Sequence, residues 1–202
     1  MSVFPRVTYI TDTVSLPIEE LLDRATRSKD SVAIIVRDKH LALEARMTLA
    51  MEIRAWDAAL PLCPTLLFAI PTPGDLAPTL EWVAELGLDG VHFASAAWSR
   101  EAAKLARAEL EWVSVACHDA AEVEARAREG ANVLVLSPIF DSPGKGRPIA
   151  LEAIRDAAGR IDGGRALIAL GGINRENATA CLQAGAHGVA AIRHELSLTP
   201  EA

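Results

Sequence analysis

Three segments, ELGLDGVHF (85–93), REGANVLVL (128–136) and QAGAHGVAAI (183–192), repeat one phrase: the tail of a helical pattern, a glycine, and at once an apolar strand. Gly87, Gly130 and Gly185 stand where a helix can close on a left-handed residue. Outward from these, apolar runs of strand length recur at 7–10, 32–36, 66–70, 90–93, 112–116, 133–136, 166–170 and 188–192, with helical patterns between them. Runs without polar alternation are expected of strands covered on both faces, and an intervening helix supplies the crossover that parallel pairing needs. Eight such units predict an α/β fold, a (β/α)8 TIM barrel. The runner-up, an open doubly wound sheet, would want a G-x-G-x-x-G turn after its first strand, and the sequence has none. Only a stub, 195–202, follows the eighth strand, so the final helix is expected to be truncated and the apolar flank it leaves to be covered by a partner subunit, as in a homodimer.

The bulk numbers agree. A chain of 202 residues, half of them hydrophobic, can bury one sizeable core, and residues 1–202 read as a single domain. A net charge of −7 with both signs mixed along the chain offers no basic stripe for nucleic acid. No apolar run approaches the roughly 20 residues of a membrane span, and the first residues lack the pattern of a secretion signal, so a soluble cytoplasmic protein is expected. Cys63, Cys117 and Cys181 are odd in number and far apart, which suggests buried thiols rather than disulfides or a zinc site. Trp56, Trp82, Trp98 and Trp112 are expected to pack in the core or between helices.

In such a barrel the active-site groups come from the loops after the strands. After the seventh comes LGGIN, in which Gly171 and Gly172 allow close backbone approach and Asn174 is expected to open a helix whose N-terminus attracts anions. Together with Ile192 and Arg193 after the eighth strand, this predicts a phosphate site. Arg37 and Lys39 after the second strand, and Ser142, Lys145 and Arg147 in the long loop SPIFDSPGKGRP, are candidates to hold a second anionic group. A loop of that length reads as a lid. His118 after the fifth strand and His92 at the end of the fourth are candidate acid–base residues, set against the plainer reading of structural histidines. Asp12 and Asp89 form no pair with metal-site spacing.

The motifs YITD from Tyr9, VRDK from Val36, DGVHF from Asp89, CHDAAE from Cys117, SPIFDSPGK from Ser137, ALGGIN from Ala169 and AGAHGVAAI from Ala184 resemble, in order, those of the thiamine phosphate synthases and the related thiazole tautomerases. The resemblance covers nearly the whole chain. It implies a thiazole phosphate substrate held at Gly171, Gly172 and the end of strand eight. In the synthases, hydroxymethylpyrimidine diphosphate binds as well, its diphosphate held by Mg²⁺ and by basic positions that correspond to Arg37, Lys39 and Lys145. The resemblance implies Lys145 and His118 as catalytic, the latter matching the histidine that moves a proton in the tautomerases. The metal positions differ: Ala69 and Ile70 replace an Asn–Asp pair, and an acidic position falls near Ala97. Ile35, Ala116 and Arg193 likewise replace a Gln, a Ser and a phosphate-side Ser. The expectation is therefore an enzyme that binds thiazole phosphate and favours isomerisation, with no cofactor. The alternatives are a divergent synthase whose Mg²⁺ is held by Asp75 or Asp141, and a catalytically silent phosphate-binding barrel.

Overall fold

Each apolar run is a strand in the computed structural model, which describes residues 3–57, 64–70, 72, 74, 76–196 and 198. The strands are β1 Val7–Ile10, β2 Val32–Val36, β3 Thr65–Ile70, β4 Gly90–Phe93, β5 Trp112–Cys117, β6 Val133–Leu136, β7 Ala166–Leu170 and β8 Gly188–Ala191. They pair in sequence order, all parallel, and β8 closes onto β1 through Val7↔Val189. Between them run α1 Ile18–Arg27, α2 Leu43–Asp57, α3 Leu76–Glu85, α4 Arg100–Glu109, α5 Ala120–Arg128, α6 Ala150–Arg160 and α7 Ala178–Gln183, making the (β/α)8 barrel. None of the described helices is long and apolar enough to cross a membrane.

Period-two alternation divides each strand between two cores. Outward residues such as Ile34, Phe68, Val91 and Leu134 pack under the helices, whereas Ile35, Leu67, Val135 and Ile168 fill the barrel. The barrel's N-terminal end is plugged by Phe4 against Trp112, their rings 5.1 Å apart edge to face. Toward the other end the inward residues shrink to Ala69 and Ala116, and space opens. Left-handed glycines close the repeated phrase, with φ of 62° at Gly87, 116° at Gly130 and 108° at Gly185. Ser99 caps α4 by accepting from the Ala102 N–H.

Beyond β8, Leu196 is buried, its N–H donates to the Tyr9 hydroxyl at 3.2 Å, and the Leu198 N–H donates to Asp30 at 3.1 Å. Leu196 and Leu198 thus pack against the outer core beside β1, on the flank where no eighth helix is found among the described residues. Trp56 departs from expectation, standing 40 % exposed on α2, while Trp82, Trp98 and Trp112 pack as expected. Cys117 and Cys181 are buried, which pushes both thiols up, that of Cys181 to about 11. Cys63 and Asp75 lie outside the described residues.

Candidate active site at the barrel mouth

Two adjoining cavities open at the C-terminal ends of the strands, one of about 410 Å³ over the barrel axis and one of about 200 Å³ between the loops after β6, β7 and β8. Arg37, Ser137, Lys145 and Leu170 line both. Lys39 and His118 reach the larger; Ser142, Gly171, Gly172, Ile192 and Arg193 reach the smaller. The residues singled out in the sequence, scattered over 157 positions from Arg37 to Arg193, therefore converge. Arg147 lines neither cavity. Asp89 takes no part, lying at the opposite end where it accepts from the Leu66 N–H and from Arg54.

His118 sits at the end of β5. Its Nδ1 lies 3.2 Å from the Ser137 carbonyl, which can only accept, so Nδ1 carries the proton and Nε2 is the free acceptor of the neutral ring. The His118 N–H donates to Glu122 on α5, a carboxylate that also accepts from the Ser95 hydroxyl and from Arg126. Glu122 was not legible as a site residue in the sequence, where it is one charge among several on a solvated helix. His92 is the buried histidine of the site, its Nδ1 2.8 Å from the Ser114 hydroxyl. Burial first, then Arg37 and Lys39, push its pKa down to about 3, so the ring is neutral near pH 7.

The β6 loop is pinned at both ends and free in the middle. Ile139 and Phe140 donate to the carbonyls of Leu170 and Gly171, and Ile149 and Ala150 donate back to Pro138 and Ile139. Asp141, Lys145 and Arg147 lie in the exposed excursion between. Asp38, next to Arg37, turns away and accepts from the Thr13 N–H and hydroxyl at 2.6 and 2.8 Å. Burial works against its charge, yet hydrogen bonds from Thr11 and Thr13 hold its carboxyl below the usual range. The Arg37 backbone N–H donates to the Thr11 hydroxyl at 2.9 Å, and its guanidinium makes no ion pair among the described residues.

One expectation for the glycine turn needs correction. The missing Cβ atoms of Gly171 and Gly172 face protein, not the cavity: a Cβ would lie 2.8 Å from Pro138 Cα at Gly171 and 2.4 Å from the Asp141 carbonyl oxygen at Gly172. With φ of 103° and 64°, the pair is demanded by the packing of the β7 loop against the β6 loop. Asn174 caps the turn that leads into α7: its side chain accepts from the N–H groups of Glu176 and Asn177, its carbonyl accepts from the Ala178 N–H, and the Asn177 side chain accepts from the Asn174 N–H in return, while the six regular residues of α7 begin at Ala178. Those N–H groups are spent on Asn174. What the turn can offer an anion is the Gly172 N–H, which none of the described loop hydrogen bonds engages.

Among the described residues none fits a resident Mg²⁺ in the larger cavity. Ala69, Ile70 and Ala97 supply no ligand atoms from their side chains, and the described residues that line the cavity include Arg37, Lys39, Arg46 and Lys145 and no carboxylate. Among the described residues no three of His, Cys, Asp and Glu group as a metal site would require. Asp12, Asp141 and His194 line the smaller cavity but do not group as such a site among the described residues.

Fold and mouth together define the class: a (β/α)8 barrel whose strand ends gather cations, a histidine and a glycine turn. Residues 7–194 match the family model of thiamine monophosphate synthase, and the chain belongs to that family. The thiamine-phosphate synthase of Alcanivorax borkumensis is 30% identical over 190 residues, covering 91% of this chain and 81% of that protein. That of Gloeobacter violaceus is 29% identical over 187 residues, 89% of this chain, and that of Methylococcus capsulatus is 37% identical over 114 residues, 54% of this chain. The chain spans about half the length of these last two relatives, 50% and 49%. A thiamine phosphate pyrophosphorylase structure from Pyrococcus furiosus shares the fold at a TM-score of 0.72 and 18% identity, covering 93% of this chain and 85% of that one.

Proposed function

We propose that the chain binds a thiazole phosphate at the barrel mouth and moves a proton on its ring, with His118 as the general acid–base group. The observation that carries the reading is the 3.2 Å contact of His118 Nδ1 with the Ser137 carbonyl: a proton on Nδ1 satisfies it and leaves Nε2 as an acceptor on a residue that lines the larger cavity. In this reading the phosphate occupies the smaller cavity, taking the Gly172 N–H and a charge-assisted hydrogen bond from Arg193, with Ile192 and Ser142 at its edges and Lys145 closing over it from the β6 loop. Arg37 and Lys39 then face the ligand's far end. The exposed Lys145 loop excludes water once it closes, which strengthens every charge inside.

The synthase activity named for the relatives is the second reading, favoured by the cations Arg37, Lys39 and Lys145, which suit a diphosphate as well. The lack of a carboxylate among the described residues that line the larger cavity argues against it, because a departing diphosphate would lose its metal-borne stabilisation. The two separate in one assay. Purified chain is given the carboxylated thiazole phosphate precursor alone, or thiazole phosphate with hydroxymethylpyrimidine diphosphate and Mg²⁺. Isomerisation of the former without joining in the latter is the expected result, and His118→Asn lowers its rate by about 10²-fold with affinity for thiazole phosphate nearly unchanged. Formation of thiamine phosphate in the second mixture would replace this reading with the synthase; binding without turnover in either would leave a silent barrel.

A further inference from the structure

Of the four cations that line the larger cavity, Arg46 is the one the sequence gives no reason to notice. It projects from α2, is 5 % exposed, and makes no ion pair among the described residues. Its Nη1 donates to the Ala69 carbonyl at 3.1 Å, its guanidinium stands 5.4 Å over the Phe68 ring, and its buried Nε has no partner. A buried guanidinium satisfied by one carbonyl and a ring face is unfavourable until an anion neutralises it. The neighbours point the same way. Arg37 carries a second buried Nε without a partner. Arg37 above all, then burial and Lys145, hold Lys39 below the usual lysine range, which is the mark of cations crowded together.

The place of Arg46 matters as much as its charge. The carbonyl it holds belongs to Ala69, which with Ile70 stands where the resemblance puts metal-holding Asn and Asp side chains. We infer that Arg46 is a binding residue of a metal-independent oxyanion subsite in which its guanidinium, with Arg37 and Lys39, recognises a second anionic group of the ligand, a carboxylate or a phosphate. The inference rests on the cavity taking an anionic ligand, as the proposed function requires. A guanidinium offers fixed paired donors where a metal would offer bare charge, so the subsite selects planar or tetrahedral oxyanions by geometry and does so at any Mg²⁺ concentration.

Calorimetric titration of the whole chain after treatment with EDTA tests it, using inorganic diphosphate, thiazole phosphate and the carboxylated thiazole phosphate in turn. The parent is expected to bind diphosphate in EDTA, with Mg²⁺ changing the affinity less than about 3-fold. Arg46→Gln is expected to weaken the second-anion ligand about 10-fold or more while thiazole phosphate itself changes less than about 2-fold. Arg46→Lys keeps a charge and weakens it less; it also serves where the Gln variant fails to fold, which thermal unfolding reports. A loss confined to the carboxylated thiazole phosphate supports a carboxylate occupant, a loss confined to diphosphate a phosphate one. Mg²⁺ raising diphosphate affinity about 10-fold or more, or folded variants binding both ligands like the parent, overturns the subsite. Failure of the parent to bind thiazole phosphate while diphosphate still binds in an Arg46-dependent manner sinks the proposed function and leaves the subsite standing.

Discussion

Gly172 illustrates how a residue can be singled out rightly and explained wrongly. A glycine pair after β7 reads as room for a phosphate, but the space a side chain would claim at Gly172 is already held by the Asp141 carbonyl and by Phe140. The residue also sits at φ 64°, where a Cβ costs energy even without a neighbour. Gly172→Ala is therefore expected to lose about 1–3 kcal/mol of folding stability, seen as a lower midpoint in denaturant unfolding at unchanged slope. Ligand affinity should fall as a consequence, because the β6 loop that carries Ser142 and Lys145 must shift to make room. A variant that keeps the parental midpoint yet loses the ligand would restore the simpler picture, in which the position matters only as space for phosphate.

At the scale of elements, the first turn of α5 ties two strand ends together. Asp119 caps the helix by accepting from the Glu122 N–H, and Glu122 then reaches back to the His118 N–H after β5 and to the Ser95 hydroxyl after β4. In the proposed reaction Glu122 acts through His118, as a positioning residue. Glu122→Ala should lower turnover about 10-fold or more with KM nearly unchanged, and Glu122→Gln, which keeps one acceptor oxygen, should recover part of the loss. No recovery by Gln, alongside a large drop in stability, would mark a purely structural role. The strands were legible because a residue buried on both sides has no polar alternative, so β2 reads VAIIV and β6 reads VLVL. The cap of α7 was legible in Asn174, whose side chain accepts from the N–H groups of Glu176 and Asn177, but the irregular turn that delays the regular helix to Ala178 was not, since Asn174 and Asn177 are both capping types. Arg46 was hidden for a related reason. Arginine on a helix reads as solvated, and nothing local reports that α2 carries it over the end of β3.

For the whole molecule, a net charge of −7 coexists with a mouth lined by Arg37, Lys39, Arg46 and Lys145, so the fold sorts its charges: the excess acid lies elsewhere on the surface and the barrel end is left positive. His92 pays for that sorting in protons. Buried inside the barrel and facing Arg37 and Lys39, it titrates near 3 in the folded chain, whereas in the unfolded chain it returns to the ordinary histidine value near 6.5. Between these two values the unfolded chain binds a proton that the folded chain refuses. Stability is then fully present above pH 6.5 and falls as the pH is lowered, by up to about 1.4 kcal/mol per pH unit for this one group. The window from pH 6 to 5 isolates it best, since most carboxylates titrate lower. Denaturant unfolding across that window should show the parent losing stability about one proton more steeply than His92→Gln, a change that removes the titration while keeping a partner for the Ser114 hydroxyl. A saturating oxyanion should reduce the difference, because neutralising Arg37 and Lys39 removes part of what depresses His92 and leaves burial alone. Parallel slopes for parent and variant would mean that His92 takes up its proton in the folded barrel, and that the mouth is less positive than its lining implies.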